Sequence, residues 1–244
     1  MIDLHFHCLP GIDDGPDTWE QAVALCRAAA AEGTAAVVAT PHVLRDPWLN
    51  EDVAARDALV SRLNGLLLGD PVVLAGCEYF FTSSATELVE RGAAGPLVGL
   101  NRGKYLLLEF GRTVPPDASA IFHEMLLLGT IPVIAHPERH PTFARDPGLL
   151  QDLVDRGAVV QVTAGSILGE FGTRAQEATE ELLRRGLVHV VSSDAHSMSA
   201  RPPRLAPARE RIRRDHGAET ASRLFETNPA AIAASEPLSW NEPQ

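Results

Sequence analysis

An α/β fold with a parallel sheet is predicted by three features of this 244-residue sequence. Short, near-continuous apolar runs recur seven times, as in Ile131–Ala135 and Val159–Thr163; parallel strands covered by helices have this composition. Segments with helix start and stop signals separate the runs. No sequence signal interrupts the alternation. A single seven-stranded β/α barrel of the TIM type over residues 1–244 is therefore favoured over two domains, with an open doubly wound sheet as the alternative.

The first strand passes through Ile2, Leu4 and Phe6, which alternate with Asp3, His5 and His7 in the period of two that a strand requires. A turn at Pro10-Gly11 then delivers Asp13-Asp14-Gly15. Asp17-Thr18-Trp19-Glu20 carries capping residues and an early acid, and the Ala-rich helix that follows stops at Gly33. Residues 35–40 are the second strand, ended by Pro41-His42, and a polar stretch leads to a helix closing near Leu68. The third strand, 72–76, runs into Cys77-Glu78; a short helix occupies 85–91, and the fourth strand, 105–108, ends in Glu109. Helix 117–128 and strand Ile131–Ala135 precede the loop His136-Pro137-Glu138-Arg139-His140. Helix 149–156, strand Val159–Thr163, helix 173–185 and strand 188–192 follow, and the last strand opens into Ser193-Asp194-Ala195-His196. Beyond Pro202-Pro203 the Arg- and Ala-rich remainder, from about residue 204, is helical to about Ala234.

Composition narrows the function. A hydrophobic content of 45% supports a large core, and a net charge of −11 argues against a nucleic-acid surface. No run of eighteen apolar residues marks a membrane span, and the N-terminus lacks the pattern of a signal peptide. Three cysteines (Cys8, Cys26, Cys77) without metal-finger spacing suit a reducing compartment, so a cytoplasmic protein is expected.

The informative polar residues sit where the strands end. Residues two apart on a strand point the same way with Cα atoms ~6.6 Å apart, so the imidazoles of His5 and His7 can lean onto one ion. Asp194 and His196 repeat that spacing. Adding Asp14, His42, Glu78, Glu109 and His136 gives nine candidate metal ligands on six of the seven strands. In a parallel β/α barrel these ends surround one mouth, where active sites lie. Imidazole and carboxylate without thiolate suit Mn²⁺, Fe²⁺ or Zn²⁺. Nine ligands exceed the needs of one ion, so two or three are expected, and close-set ions suit phosphoryl displacement.

The segments MIDLHFHCLPGIDDGP, ATPH, LLLEF, AHPER and SSDAHSMSARPP, with the Glu78 stretch, resemble the PHP (polymerase and histidinol phosphatase) superfamily. Within it they are similar to the bacterial protein-tyrosine phosphatases of the CpsB/CapC/YwqE type, from Met1 to about Pro203. The resemblance implies a distorted seven-stranded barrel and a trinuclear centre, usually Mn²⁺, that hydrolyses phosphotyrosine by attack of a metal-bridging hydroxide. The implied substrate is the tyrosine-rich tail of a bacterial tyrosine autokinase controlling capsule or exopolysaccharide synthesis. By position, His5, His7, Glu109 and Asp194 would hold one ion. Glu109 would bridge to a second, completed by Glu78 and His136, and Asp14, His42 and His196 would hold the third. Arg139 and Arg201 match the family's phosphate-binding arginines, a role their planar donor forks suit.

Phe6 and His140 depart from the family's usual residues and bear on pocket shape, while Trp48 and Tyr79-Phe80-Phe81 read as packing. A cysteine-nucleophile phosphatase requires Arg six positions after Cys, and Asp14, Glu32 and Ser83 stand there instead. A carboxylated-lysine amidohydrolase fits poorly, because the single lysine, Lys104, begins a strand whose end carries Glu109. A small-molecule enzyme such as a histidinol-phosphate phosphatase is the alternative within the superfamily, and a metal-stabilised binding module is the non-enzymatic one. His123, His189 and His216 read as surface or packing residues.

Overall fold

The computed structural model describes residues 1–238; residues 239–244 of the expected domain lie outside the described part. Among the described residues, nine strands form two all-parallel sheets. β1 (Ile2–Phe6), β2 (Ala36–Ala39) and β4 (Val72–Ala75) make one, in the order β1-β2-β4. The other runs β3 (His42–Val43), β5 (Glu78–Phe80), β6 (Tyr105–Glu109), β7 (Ile131–Ala135), β8 (Val159–Thr163) and β9 (Val190–Ser192).

The seven expected apolar runs are all strands, but two of them are split. The second run stops at Ala39 and resumes as β3, where His42 pairs with Glu78. Pro41 has no N–H to give a ladder, which accounts for the interruption. The third run breaks at Gly76-Cys77, where a Cβ on Gly76 would come within 2.7 Å of Val38 Cγ1. Each split transfers the chain from the first sheet to the second. The open edge of β1 meets the chain beyond β9: Phe6 bridges Ala195 in parallel, His7 N–H donates to Ala195 O at 2.9 Å, and Asp194 N–H donates to His5 O at 3.0 Å. Buried Asp3 adds a side-chain tie, its Oδ1 accepting from Ser193 N–H at 3.0 Å.

Helix α1 (Trp19–Ala31) follows β1 and α2 (Val53–Leu67) follows β3; α1 starts on a capping box of Thr18 and Gln21. α3 (Ala85–Glu90) and α4 (Ala118–Leu127) flank β6 in sequence. Two short helices were not expected, α5 (Pro141–Arg145) and, after α6 (Pro147–Val154) and β8, α7 (Ala164–Leu168). α8 (Thr173–Arg184) leads to β9. The C-terminal remainder is not one helix: α9 (Leu205–His216) ends at Gly217, whose φ of 92° leaves the helical region. Next come α10 (Ala218–Ser222), a π-helical turn over Arg223–Thr227 and α11 (Asn228–Ala233). Among the described residues no helix is long and apolar enough to cross a membrane.

Alternate strand residues point into a common interior. Leu4, Val38, Leu107, Val133, Val159 and Val190, one from each of six strands, belong to a single apolar cluster with Ile232 of α11. Phe6 and Cys8 point the other way, into the layer beneath α1 and α2; the Phe6 side chain therefore does not line the cavity at the strand ends.

His189, expected to pack, is buried just before β9; its Nδ1 accepts from Val160 N–H at 2.9 Å and its carbonyl from Asn228 Nδ2 at 2.7 Å. Burial, and then Arg223, lower its pKa from 6.5 to about 4. The unfolded chain therefore takes up a proton between those values that the folded chain refuses, and stability falls as pH drops through that window. The shift corresponds to about 3 kcal/mol. Denaturant titrations at pH 7 and pH 4 should show His189→Asn losing about that much less stability than the wild type; equal losses would refute the assignment.

Candidate metal centre

The nine ligand-type side chains meet at the C-terminal ends of the strands. They form four overlapping groups: His7, Asp14, His42 and His196; His5, Glu78 and His136; His5, His7 and Asp194; and His42, Glu78 and Glu109. Within each group the ligand atoms lie within 4.8 Å of one another. The expected trio Asp14, His42 and His196 recurs, and His5, His7 and Asp194 meet without Glu109, while the central carboxylate is Glu78. Its Oε1 lies 3.3 Å from His5 Nε2 and 3.1 Å from His136 Nε2, and its Oε2 lies 2.8 Å from His42 Nδ1 and 3.4 Å from His7 Nε2. Glu109, expected as the bridge, stands at the edge, with Oε2 3.9 Å from His42 Nδ1 and 3.2 Å from Arg45 Nε.

The backbone is bent to deliver two of these groups. His136, just after β7, has φ 35°, and Asp194, just after β9, has φ 53°. Left-handed backbone at non-glycine residues is costly and gathers at functional sites. Here it turns a side chain from each strand end into the cluster.

Several imidazoles have one nitrogen occupied, which aims the other inward. His5 Nδ1 lies 3.0 Å from Gln161 Oε1, His7 Nδ1 lies 2.8 Å from Asp13 Oδ2, and His196 Nδ1 lies 2.9 Å from Asp194 O. With those Nδ1 atoms donating, the Nε2 lone pairs of His5 and His7 face each other across 3.1 Å. Two lone pairs at that distance repel unless a proton or a cation stands with them. Outer partners that set the tautomer in this way are a regular feature of metal-binding histidines. Glu78 Oε2, Glu109 Oε2 and His196 Nε2 are also buried without a hydrogen bond of acceptable geometry. The residues present thus fit divalent cations, and the donor set of imidazole and carboxylate suits Mn²⁺, Fe²⁺ or Zn²⁺.

Asp13, Gln161 and Arg45 complete the site and lie outside the nine expected ligands. Asp13 shares the acidic turn with Asp14, and Gln161 is the one amide in the apolar run of β8; both signals were present in the sequence. Arg45 had none: it lies beyond the interruption at Pro41 and reaches His42 Nε2 at 2.6 Å. Trp48 stacks on His42, while Tyr79 and Phe81 are core residues.

Arg139 and Arg201 converge on one carboxylate oxygen. Arg139 Nη2 donates to Asp194 Oδ2 at 2.6 Å and Arg201 Nη1 to the same oxygen at 3.1 Å; Arg201 Nη2 also donates to Asp14 Oδ2 at 3.0 Å. Asp194 Oδ1 faces His5 at 3.3 Å, so this residue joins the arginines to the histidines. The adjoining cavity has a volume of about 520 Å³, and Phe80, Phe110 and His140 line it along with Glu78, His136 and Asp194. His140 Nε2 is tied to Gly111 O at 2.5 Å and its Nδ1 accepts from Thr142 N–H, so it is fixed in the lining and caps α5.

Charge in this space is tightly coupled. Burial opposes a proton on His5, yet Glu78 and Asp194 raise its pKa to about 9. Burial likewise opposes charge on His42, and Glu78 with Asp14 raises it to about 10. Burial lowers His136 to about 4 with help from Arg139, and lowers His196 to about 4 with help from His7. Burial and Glu78 together lift Glu109 to about 7. Divalent cations held by these residues would displace the protons of His5 and His42, whereas His136 and His196 are free bases at neutral pH. Metal binding to the metal-stripped protein at pH 7.5 should therefore release at least two protons, and affinity should fall as pH drops. Calorimetry in buffers of different ionisation enthalpy measures the release; proton-neutral binding would contradict the charge assignment.

The chain has close relatives in both sequence and structure. The family described as capsular polysaccharide synthesis, CpsB/CapC, matches residues 1–234. The tyrosine-protein phosphatase YwqE of Bacillus subtilis is 36% identical over 231 residues, covering 93% of this chain and 89% of that protein. Tyrosine-protein phosphatase CpsB of Streptococcus pneumoniae is 30% identical over 240 residues, covering 95% and 98%. A solved structure reported with YwqE and CpsB as unique metal-dependent tyrosine phosphatases superposes with a TM-score of 0.93 at 34% identity, covering 100% of this chain and 98% of that one. An organophosphorus hydrolase from Deinococcus radiodurans, at 16% identity and a TM-score of 0.58, shares the fold alone. The chain belongs to the CpsB/CapC family.

Proposed function

We propose that this protein is a metal-dependent protein-tyrosine phosphatase, a phosphoric monoester hydrolase of the cytoplasm. Its substrate is phosphotyrosine in the tail of a bacterial tyrosine autokinase that controls capsule or exopolysaccharide synthesis. The observation that carries the reading is the meeting of nine imidazole and carboxylate side chains with Arg139 and Arg201 at one cavity. The names of the relatives, tyrosine-protein phosphatases over nearly their full lengths, support the same substrate class.

In this reading His5, His7, Asp14, His42, Glu78, Glu109, His136, Asp194 and His196 hold two or three divalent ions, Mn²⁺ by preference, with Fe²⁺ or Zn²⁺ as substitutes. Such ions, when bound, supply a nucleophile at neutral pH and charge for the attacking and leaving oxygens. Gln161 and Asp13 orient His5 and His7. Arg139 and Arg201 meet the charge that develops on the phosphoryl oxygens; guanidinium has donors and no acceptor, so neither arginine can ligate a cation. Phe80 and Phe110 offer an apolar wall to an aryl ring. The buried thiols of Cys8 and Cys77 point into core clusters; a hydrogen bond with Cys26 and then burial raise the pKa of Cys8, and burial raises that of Cys77, which suits packing and not nucleophilic attack.

We also read residues 1–244 as one domain, a distorted seven-stranded barrel. The parallel bridge from Phe6 to Ala195 and the interior cluster drawn from six strands support it.

Hydrolysis of phosphotyrosine peptides should vanish with chelator, return with Mn²⁺ and survive thiol alkylation. A strong preference for histidinol phosphate over every such peptide would move the protein to the small-molecule phosphatases. Peptide binding without hydrolysis in the Mn²⁺-loaded protein would make it a binding module.

Arg139→Ala should lose ~10²–10³ in turnover, the scale of a lost preorganised donor, while elemental analysis finds its metal content intact. His7→Ala and Glu109→Ala should lose metal along with activity. A fully active Arg139→Ala, or one stripped of metal, would remove Arg139 from phosphate binding.

A further inference from the structure

Arg139 is held from behind by a part of the chain that does not reach the cavity. Its guanidinium carbon lies 4.6 Å from the centre of the Phe171 ring, the spacing of a cation–π contact. Phe171 stands in the connection between α7 and α8, outside the cavity walls. The ring rests on Gly165 of α7, where an added Cβ would come within 2.7 Å of Phe171 Cε2. α7 also grips the residue before Arg139. Buried Glu138 accepts at Oε1 from Thr163 N–H at 3.0 Å and from the Ser166 hydroxyl at 2.7 Å. The start of α7 thus anchors both the backbone turn that carries Arg139 and, through Phe171, the guanidinium itself.

We propose that Phe171, seated on the bare backbone of Gly165, is a positioning residue that orients the Arg139 guanidinium for the phosphate monoester. The proposal rests on the phosphate-binding reading of Arg139 given above. A free arginine side chain explores many rotamers, and ordering it costs free energy at the moment a substrate is met. A guanidinium already lying on an aromatic face has met that cost in advance, and its edge remains free to donate. Asp194 also holds Arg139, at 2.6 Å, but the same carboxylate faces His5 at 3.3 Å and so serves the metal cluster as well. The Phe171 contact has no such second duty, and a ring presents no acceptor that competes with phosphate.

A double-mutant cycle on the Mn²⁺-loaded protein tests this, reading kcat, KM for p-nitrophenyl phosphate, the inhibition constant of inorganic phosphate, and metal content. Phe171→Leu should keep its metals while kcat/KM falls and phosphate inhibition weakens, each by about tenfold, and Phe171→Tyr should restore both. Gly165→Ala, which lifts the ring from its seat, should act in the same direction. In an Arg139→Ala background Phe171→Leu should cost nothing further, because the ring acts only through that arginine. Equal losses in both backgrounds, or a Phe171→Leu protein with unchanged phosphate inhibition, would overturn the proposal. If Arg139→Ala is itself fully active, the phosphate-binding reading falls and this proposal with it. If Arg139→Ala is impaired while Phe171→Leu is not, the positioning role alone is lost.

Discussion

Buried charge has to be balanced, and that requirement governs the end of every strand that carries a ligand-type residue. Glu78 and Asp194 are almost wholly buried, where an unpaired carboxylate would cost several kcal/mol. Each is surrounded by cation-forming groups: Glu78 by imidazoles from three strand ends, Asp194 by His5, Arg139 and Arg201. Both are held well below the usual carboxylate range although burial works against ionisation. The negative charge that makes the cluster a cation site is therefore present before any cation arrives, and protons on His5 and His42 balance it in the meantime.

The scaffold works because parallel strands put all their C-terminal ends on one side. The pairing of Phe6 with Ala195 brings the first strand beside the last, so His5 and His7 face Asp194 and His196 across one ladder. The crossings at Pro41 and at Gly76-Cys77 bring His42 opposite Glu78 in the second sheet. Left-handed backbone at His136 and Asp194 turns the remaining groups inward, at a strain that the surrounding hydrogen bonds must offset. Stability invested in the apolar interior is in this way spent on local geometry at the mouth.

Asp194 joins the two kinds of group at the cavity: Arg139 and Arg201 bond its Oδ2, and its Oδ1 faces His5. A net charge of −11 repels an anionic substrate at long range. Recognition must then come from the few positive groups at the site, at distances where screening by salt is weak. A guanidinium fixed in advance is worth more in such a protein than in one whose overall field already gathers anions.

How much could be read from the chain itself differs by kind of information. Apolar runs such as Val159–Thr163 located the strands, because burial is written directly into residue type; the period of two predicted for Ile2–Phe6 fails at the register shift before Phe6, whose side chain joins a different cluster from that of Leu4. Ligand-type residues at strand ends marked the site, since a parallel sheet gathers those ends whatever its closure. Arg139 and Arg201 each follow a ligand-type residue, His136 and His196, by only a few positions in the chain. Other features exist only in three dimensions. The split of two strands depends on neighbours such as Val38 crowding Gly76. The central place of Glu78 over Glu109 follows from the direction in which each strand end is turned, which spacing does not encode. Arg45 and Phe171 touch the site through loops, whose paths obey packing and not periodicity. Local sequence determined which residues face inward and at which end of the sheet they stand; the folded chain decided which of them meet, because distances across a sheet are set by register and loop closure.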